Sequence, residues 1–135
     1  MSTYLRKRGM IIFLTIVLSI FLINALASAQ DKNTDNEKLF EEIVGSYEFD
    51  AGGRMIPFWL FVEDGKLYLD IKVEGVDPEE MIQDAENKMK CETIANGLEA
   101  HTTFIRDDEG KITGCKIYYP DMDAEYEAEK IGDGD

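Results

Sequence analysis

Apolar residues run almost unbroken from Met10 to Leu22, recur at helical spacing between Leu39 and Val44, and from Gly45 onward alternate with polar residues at period two. Each pattern predicts a different kind of segment. In the first, Arg6, Lys7 and Arg8 precede the hydrocarbon stretch, and Ala27-Ser28-Ala29 forms a small-x-small cleavage site ahead of Gln30. That is the layout of an export signal, with residues 1–29 removed and residues 30–135 left as a single domain. A spanning helix competes, because Met10 to Ala27 approaches the ~20 residues that a bilayer needs. Asn24 and the small residues before Gln30 favour cleavage, so no stable membrane span is expected after it. No Cys lies near the site, which excludes a lipid-anchored form, and the expected location is a periplasm or the extracellular space.

The second pattern is a short helix. Thr34-Asp35-Asn36-Glu37 matches a capping box, Leu39, Phe40, Ile43 and Val44 follow on one face, and Gly45 ends or bends the helix. The third pattern predicts strands at Val44 to Phe49, Met55 to Glu63, Lys66 to Val73, Glu80 to Asp84, Lys88 to Ile94, Glu99 to Arg106, Ile112 to Tyr119 and Ala124 to Ile131. Of these, Glu80 to Asp84 has the weakest alternation. Asp64-Gly65, Asn96-Gly97 and Asp108-Glu109-Gly110 supply the positive φ that tight hairpins need, so the three consecutive strands from Lys88 to Tyr119 are expected to be antiparallel neighbours in a β meander. No connection is long enough for repeated crossover helices. Eight short strands in ~90 residues predict an all-β fold, a small antiparallel barrel or strongly curved sheet, because closure removes unpaired edges.

Alternation also assigns faces. Leu67, Leu69, Ile71 and Val73 share one face and Tyr68, Asp70 and Lys72 the other, while Glu125, Glu127 and Glu129 point opposite to Tyr126 and Ala128. The strand Met55 to Glu63 is apolar on both faces, with Phe58, Leu60 and Val62 on one and Met55, Trp59 and Phe61 on the other. Such a strand is covered twice, by the core and by either the N-terminal helix or a binding partner.

Charge narrows the function classes. All 28 acidic residues but only 11 of the 14 basic ones lie after Gln30. Such a field repels nucleic acid and anionic membrane surfaces, and draws cationic proteins or metal ions. Catalytic chemistry has little to build on. Ser46 is the only Ser after the signal, Phe49 stands where a Ser-x-x-Lys motif needs its Lys, and His101 is the only His. Asp121, Asp123 and Glu125 have the spacing of a calcium loop, but Tyr126 replaces its sixth-position Gly and Gly132 its twelfth-position Glu. An acidic hairpin is expected there, with no metal site and no cofactor. Cys91 and Cys115 form either a disulfide or two buried thiols. Their strands are predicted to flank a third, which puts them ~9.5 Å apart in a flat sheet, against the ~7 Å limit for a bridge.

The runs Ile43-Val44-Gly45-Ser46-Tyr47-Glu48, Phe61-Val62-Glu63-Asp64-Gly65-Lys66-Leu67-Tyr68, Phe104 through Gly114 and Ala128-Glu129-Lys130-Ile131 resemble a lipocalin-like domain of unknown function. That domain often lies C-terminal to serine hydrolases of the class C β-lactamase and penicillin-binding type. The resemblance implies a small lipocalin-like β-barrel concerned with oligomer contacts or substrate access. Cys115 and the acidic segment Asp121 to Glu129 depart from the family pattern. The expected function is a non-catalytic binding module, with Phe58, Trp59, Phe61, Tyr68 and Tyr118 contacting a small apolar ligand or a protein partner. Its rival is an acidic inhibitor or binder of a cationic secreted protein such as a lysozyme or protease, acting through Asp121, Asp123, Glu125, Glu127 and Glu129. A homo-oligomer through an open sheet edge is the third expectation.

Overall fold

A computed structural model describes residues 34–95 and 97–134; the segment expected to be an export signal and Asn96 lie outside them. Helix α1 spans 34–43, over the segment that the Leu39/Phe40/Ile43 spacing predicted, with Thr34 already its first helical residue. Strands β1 (Gly45–Asp50), β2 (Met55–Glu63), β3 (Lys66–Asp70), β4 (Glu79–Glu80), β5 (Ile82–Gln83), β6 (Lys90–Ala95), β7 (Leu98–Arg106), β8 (Ile112–Tyr119) and β9 (Ala124–Asp133) follow, with one 3-10 turn at Pro120–Met122. They form one sheet in the order β4-β3-β2-β1-β9-β8-β7-β6-β5. Every pairing is antiparallel, and the sheet curls into a nearly closed barrel.

The two ends of that strand order are consecutive in the chain. Glu79 and Glu80 pair with Leu69 and Tyr68 on one edge, and two residues later Ile82 and Gln83 pair with Glu92 and Cys91 on the other. Met81 sits between them, donating its N–H to the Leu67 carbonyl at 2.8 Å and turning its side chain into the core. One extended segment thus satisfies backbone groups of both edges. This is the strand with the weakest sequence signal, since a five-residue piece shared between two partners shows little alternation.

The inside of the barrel is filled by Tyr47, Phe58, Leu60, Leu67, Phe104, Ile112 and Ile117, together with the smaller Cys91, Cys115 and Ala128. Tyr47 and Phe58 stack at 5.3 Å between ring centroids, a contact worth ~0.5–1.5 kcal/mol beyond area burial. The C-terminal turn of α1 plugs the end of the barrel. Ile43 is fully buried, its carbonyl accepts the Tyr47 hydroxyl at 2.6 Å, and the Glu42 carbonyl accepts Lys130 Nζ at 2.9 Å. Arg106 adds an ion pair to the Glu42 carboxylate and donates to the Gly110 carbonyl.

Two expectations change. Strand β3 stops at Asp70 rather than Val73, because Lys72 adopts φ 53° and its N–H is capped by the Asp70 carboxylate at 2.7 Å. The helix does not serve as the second cover of β2: Phe40 and Ile43 point into the core at the barrel end, leaving Trp59 and Phe61 to be flanked by β3. The hairpins are as read, with Asp64 at φ 50°, Gly65 at φ 74° and Gly97 at φ 76°. Truncating the seam residue, Met81→Ala, is expected to cost ~2–5 kcal/mol in urea denaturation. A loss below ~1 kcal/mol, the scale of an ordinary exposed-site change, would show that the seam contributes little.

Candidate functional site

The residues expected to bind a ligand divide between the two surfaces of the barrel. Phe58 is buried at 2% exposure within the core and offers nothing to an outside partner. Trp59, Phe61 and Tyr68 are half-buried on the outer surface, where alternation puts every second residue of β2 and β3. Phe61 faces Tyr68 across the strand pair, and their rings stack at 5.5 Å. Tyr118 is also outward, but on β8, with β1 and β9 separating it from β2. It stands opposite His101 and donates its hydroxyl to Asp123 at 3.1 Å, a bond that raises the phenol pKa. The five residues therefore do not make one site. Three of them do.

Around that aromatic trio the sheet supplies polar groups that the sequence pattern did not single out. Ser46 lies opposite Trp59 on one side and Gly132 on the other, so the sheet surface dips beside the indole. Asp70 lies opposite Trp59 on β3. The left-handed turn at Lys72 folds that side chain back, placing Nζ 2.8 Å from Asp70 Oδ2 and 6.0 Å from the Trp59 ring centroid. The paired ammonium and the Lys72 N–H hold the Asp70 carboxyl below the usual carboxylate range. Val44, Ser46, Trp59, Phe61, Lys72 and Asp133 line an open groove of about 500 Å³ on this face. No sequence signal marks the Lys72 turn, because lysine is not a residue that favours positive φ.

The acidic residues continue the same outer surface. Glu125 stands opposite Tyr118, Glu127 opposite Lys116, and Glu129 between Gly114 and Glu48. Directly opposed like charges on a sheet destabilise it, and among the described residues no ion pair or side-chain hydrogen bond involves Glu48 or Glu129. Asp121 sits in the 3-10 turn and Asp123 at φ 47° ends it, so the predicted hairpin contains one helical turn. Among the described residues no group of three or more His, Cys, Asp or Glu is placed to hold a metal ion. A second open groove of about 680 Å³ on β6–β8, lined in part by Lys90, His101, Lys116 and Glu125, carries both signs of charge. His101 there is held by Glu99 at 2.6 Å, while Ser46 lies on β1 with β9 and β8 between them, so the two do not form a nucleophile–base pair.

Cys91 and Cys115 are free and buried on β6 and β8; these two strands flank β7, as the hairpin chemistry predicted. Cys91 faces Thr102 and Cys115 faces Phe104, which offsets them along the sheet as well as across it. Burial pushes both thiols up to about 12, Cys115 being raised further by its neighbour Cys91. Thr93, also inside the barrel at 4% exposure, has a hydroxyl with no hydrogen-bond partner among the described residues.

Comparison with family models, with curated proteins and with solved structures found no match for this chain. Among the described residues no helix is long and apolar enough to cross a membrane.

Two outcomes follow from the site. Both thiols are expected to resist Ellman's reagent at pH 8 in the native protein and to react, two per chain, once it is unfolded without reductant; fewer than two would reveal a disulfide. The sole Trp reports on Asp70. A carboxylate with a lowered pKa keeps its pairing as pH falls through the ordinary Asp range and loses it only below. Trp59 emission is therefore expected to change at a midpoint below 3.8, before global unfolding by circular dichroism, and Asp70→Asn should abolish that early transition.

Proposed function

We propose that this protein is an exported, non-catalytic β-barrel module that binds a protein partner through the outer face of β2 and β3. The observation that carries the reading is the trio Trp59, Phe61 and Tyr68, half-exposed side by side on a surface that its own helix leaves uncovered. Aromatic anchors beside a small-residue dip and a polar rim are the composition of binding hot spots. The export signal read at residues 1–29 fits a module that works outside the cytoplasm, and the resemblance to hydrolase-associated lipocalin-like domains fits an accessory role.

A second reading, a small apolar ligand inside the barrel, is favoured by the unpartnered Thr93 hydroxyl, which a ligand's polar end would satisfy. The large side chains of Tyr47, Phe58 and Phe104 compete for that interior space.

Native mass spectrometry of protein recovered from the exported fraction separates the two. A chain beginning at Gln30 in complex with a second protein, lost in a Phe61→Ala/Tyr68→Ala variant that keeps its circular dichroism spectrum, is the expected result. An adduct of a few hundred daltons that survives this double substitution and disappears in Thr93→Val would overturn the outer-face reading. Retention of residues 1–29 would overturn export with cleavage.

A further inference from the structure

Lys72 occupies the best-formed feature of the groove. Its ammonium lies over the Trp59 ring at 6.0 Å and against Asp70 Oδ2 at 2.8 Å, on a backbone held in the left-handed region at φ 53°. A cation between an aromatic face and a carboxylate is how proteins recognise ligand cations, and here the chain supplies that cation itself. The Lys72 side chain remains 58% exposed, so solvent and an incoming group can reach the position it occupies. With its lysine end open to solvent and its Asp70 end largely covered, the pair gains only modestly in stability. Lysine binds such a site as a point charge, whereas a guanidinium is planar, stacks on indole and reaches a carboxylate with two parallel N–H donors.

The surroundings point to the same chemistry. One row along the sheet from the Trp59–Ser46 pair, Glu48 is flanked by Pro57 and by Glu129, and among the described residues neither of the two carboxylates has a cationic partner. A like-charge pair directly opposed on a sheet is relieved by an incoming positive charge. The aromatic trio and this pair share the outer surface of adjacent strands, so an extended cationic segment can engage both at once. The same acidic face disfavours a second copy of this chain as the occupant.

We infer that the outer face of β1–β3 and β9 docks a cationic polypeptide, one arginine of which displaces Lys72 from between Trp59 and Asp70 while neighbouring basic residues neutralise Glu48 and Glu129. This rests on the outer-face reading of function and names the partner's chemical class.

Lys72 makes the inference testable, because a competitor and a ligand contact respond oppositely to its removal. The purified protein is titrated calorimetrically with nona-arginine, nona-lysine and nona-glutamate at low and high salt. Nona-arginine is expected to bind more tightly than nona-lysine, with no binding of nona-glutamate. Lys72→Met should tighten nona-arginine binding about three- to tenfold by freeing the ring and carboxylate. Trp59→Ala should weaken it about tenfold, and Trp59→Tyr, which keeps a ring face, should restore most of the loss and guard against misfolding. Glu48→Gln/Glu129→Gln should weaken binding at low salt and flatten the salt dependence.

Weaker binding in Lys72→Met would overturn the inference, because Lys72 would then be a contact for an anionic group. Equal binding in Trp59→Ala would also overturn it, leaving only diffuse attraction to an acidic surface. The two levels of the reading fail differently. A partner recovered from the exported fraction that loses affinity in Phe61→Ala/Tyr68→Ala, yet ignores Lys72→Met and salt, would keep the docking face and reject the cationic assignment.

Discussion

The structure depends on one five-residue segment that hydrogen-bonds to both edges of the sheet. A curled antiparallel sheet leaves unpaired N–H and C=O groups on its first and last strands, and those groups must be satisfied or guarded. Glu79–Glu80 meets β3, Ile82–Gln83 meets β6, and the Met81 side chain is drawn inward between them. With the ring nearly closed, the interior becomes a defined volume that Tyr47, Phe58, Leu60 and Phe104 fill, and α1 needs only to plug an end.

That division of labour explains why aromatic side chains are found outside. The interior takes one face of each strand, and a helix seated at the end cannot also shield the barrel wall. Strand β2, apolar on both faces, therefore presents Trp59 and Phe61 outward, with Met55 at 51% exposure further along the same face. Tyr68 and the folded-back Lys72 cover them only in part. A surface that keeps a Trp ring half-exposed, covers it in part with its own lysine and opposes two like charges one row along gains little stability from that arrangement, which is what supports the proposed recognition role.

Most of the fold was legible because it is written in local chemistry. The bounds of β2 and β8 coincide with the predicted runs Met55 to Glu63 and Ile112 to Tyr119, and the Asp64-Gly65 turn has the positive φ values its residues favour. What was not legible is what depends on tertiary position. The segment at Glu79–Gln83 looked weakest because its two halves serve different partners. The end of β3 was overrun because Ile71 and Val73 continue the alternation, while the turn that stops it is stabilised by Asp70 and lacks a Gly or Asn signal. Of the candidate site, Trp59 and Phe61 could be found from a strand apolar on both faces, and Tyr68 from the Asp64-Gly65 hairpin that sets β3 beside it. Their separation from Phe58 followed from the same alternation, and that from Tyr118 required the strand order. Glu48 and Lys72 acquire meaning only when cross-strand register sets one beside Glu129 and the other over Trp59.

The most direct test of the outer face as the working surface is amide-resolved NMR of the isotope-labelled protein during titration with an arginine-rich peptide. Shifts confined to Ser46, Glu48, Trp59, Phe61, Tyr68, Asp70, Lys72 and Glu129, with the Trp59 indole signal among the largest, are expected. Shifts centred instead on inward residues such as Thr93, Thr102 and Tyr119, or scattered evenly over the acidic residues of β9, would contradict it.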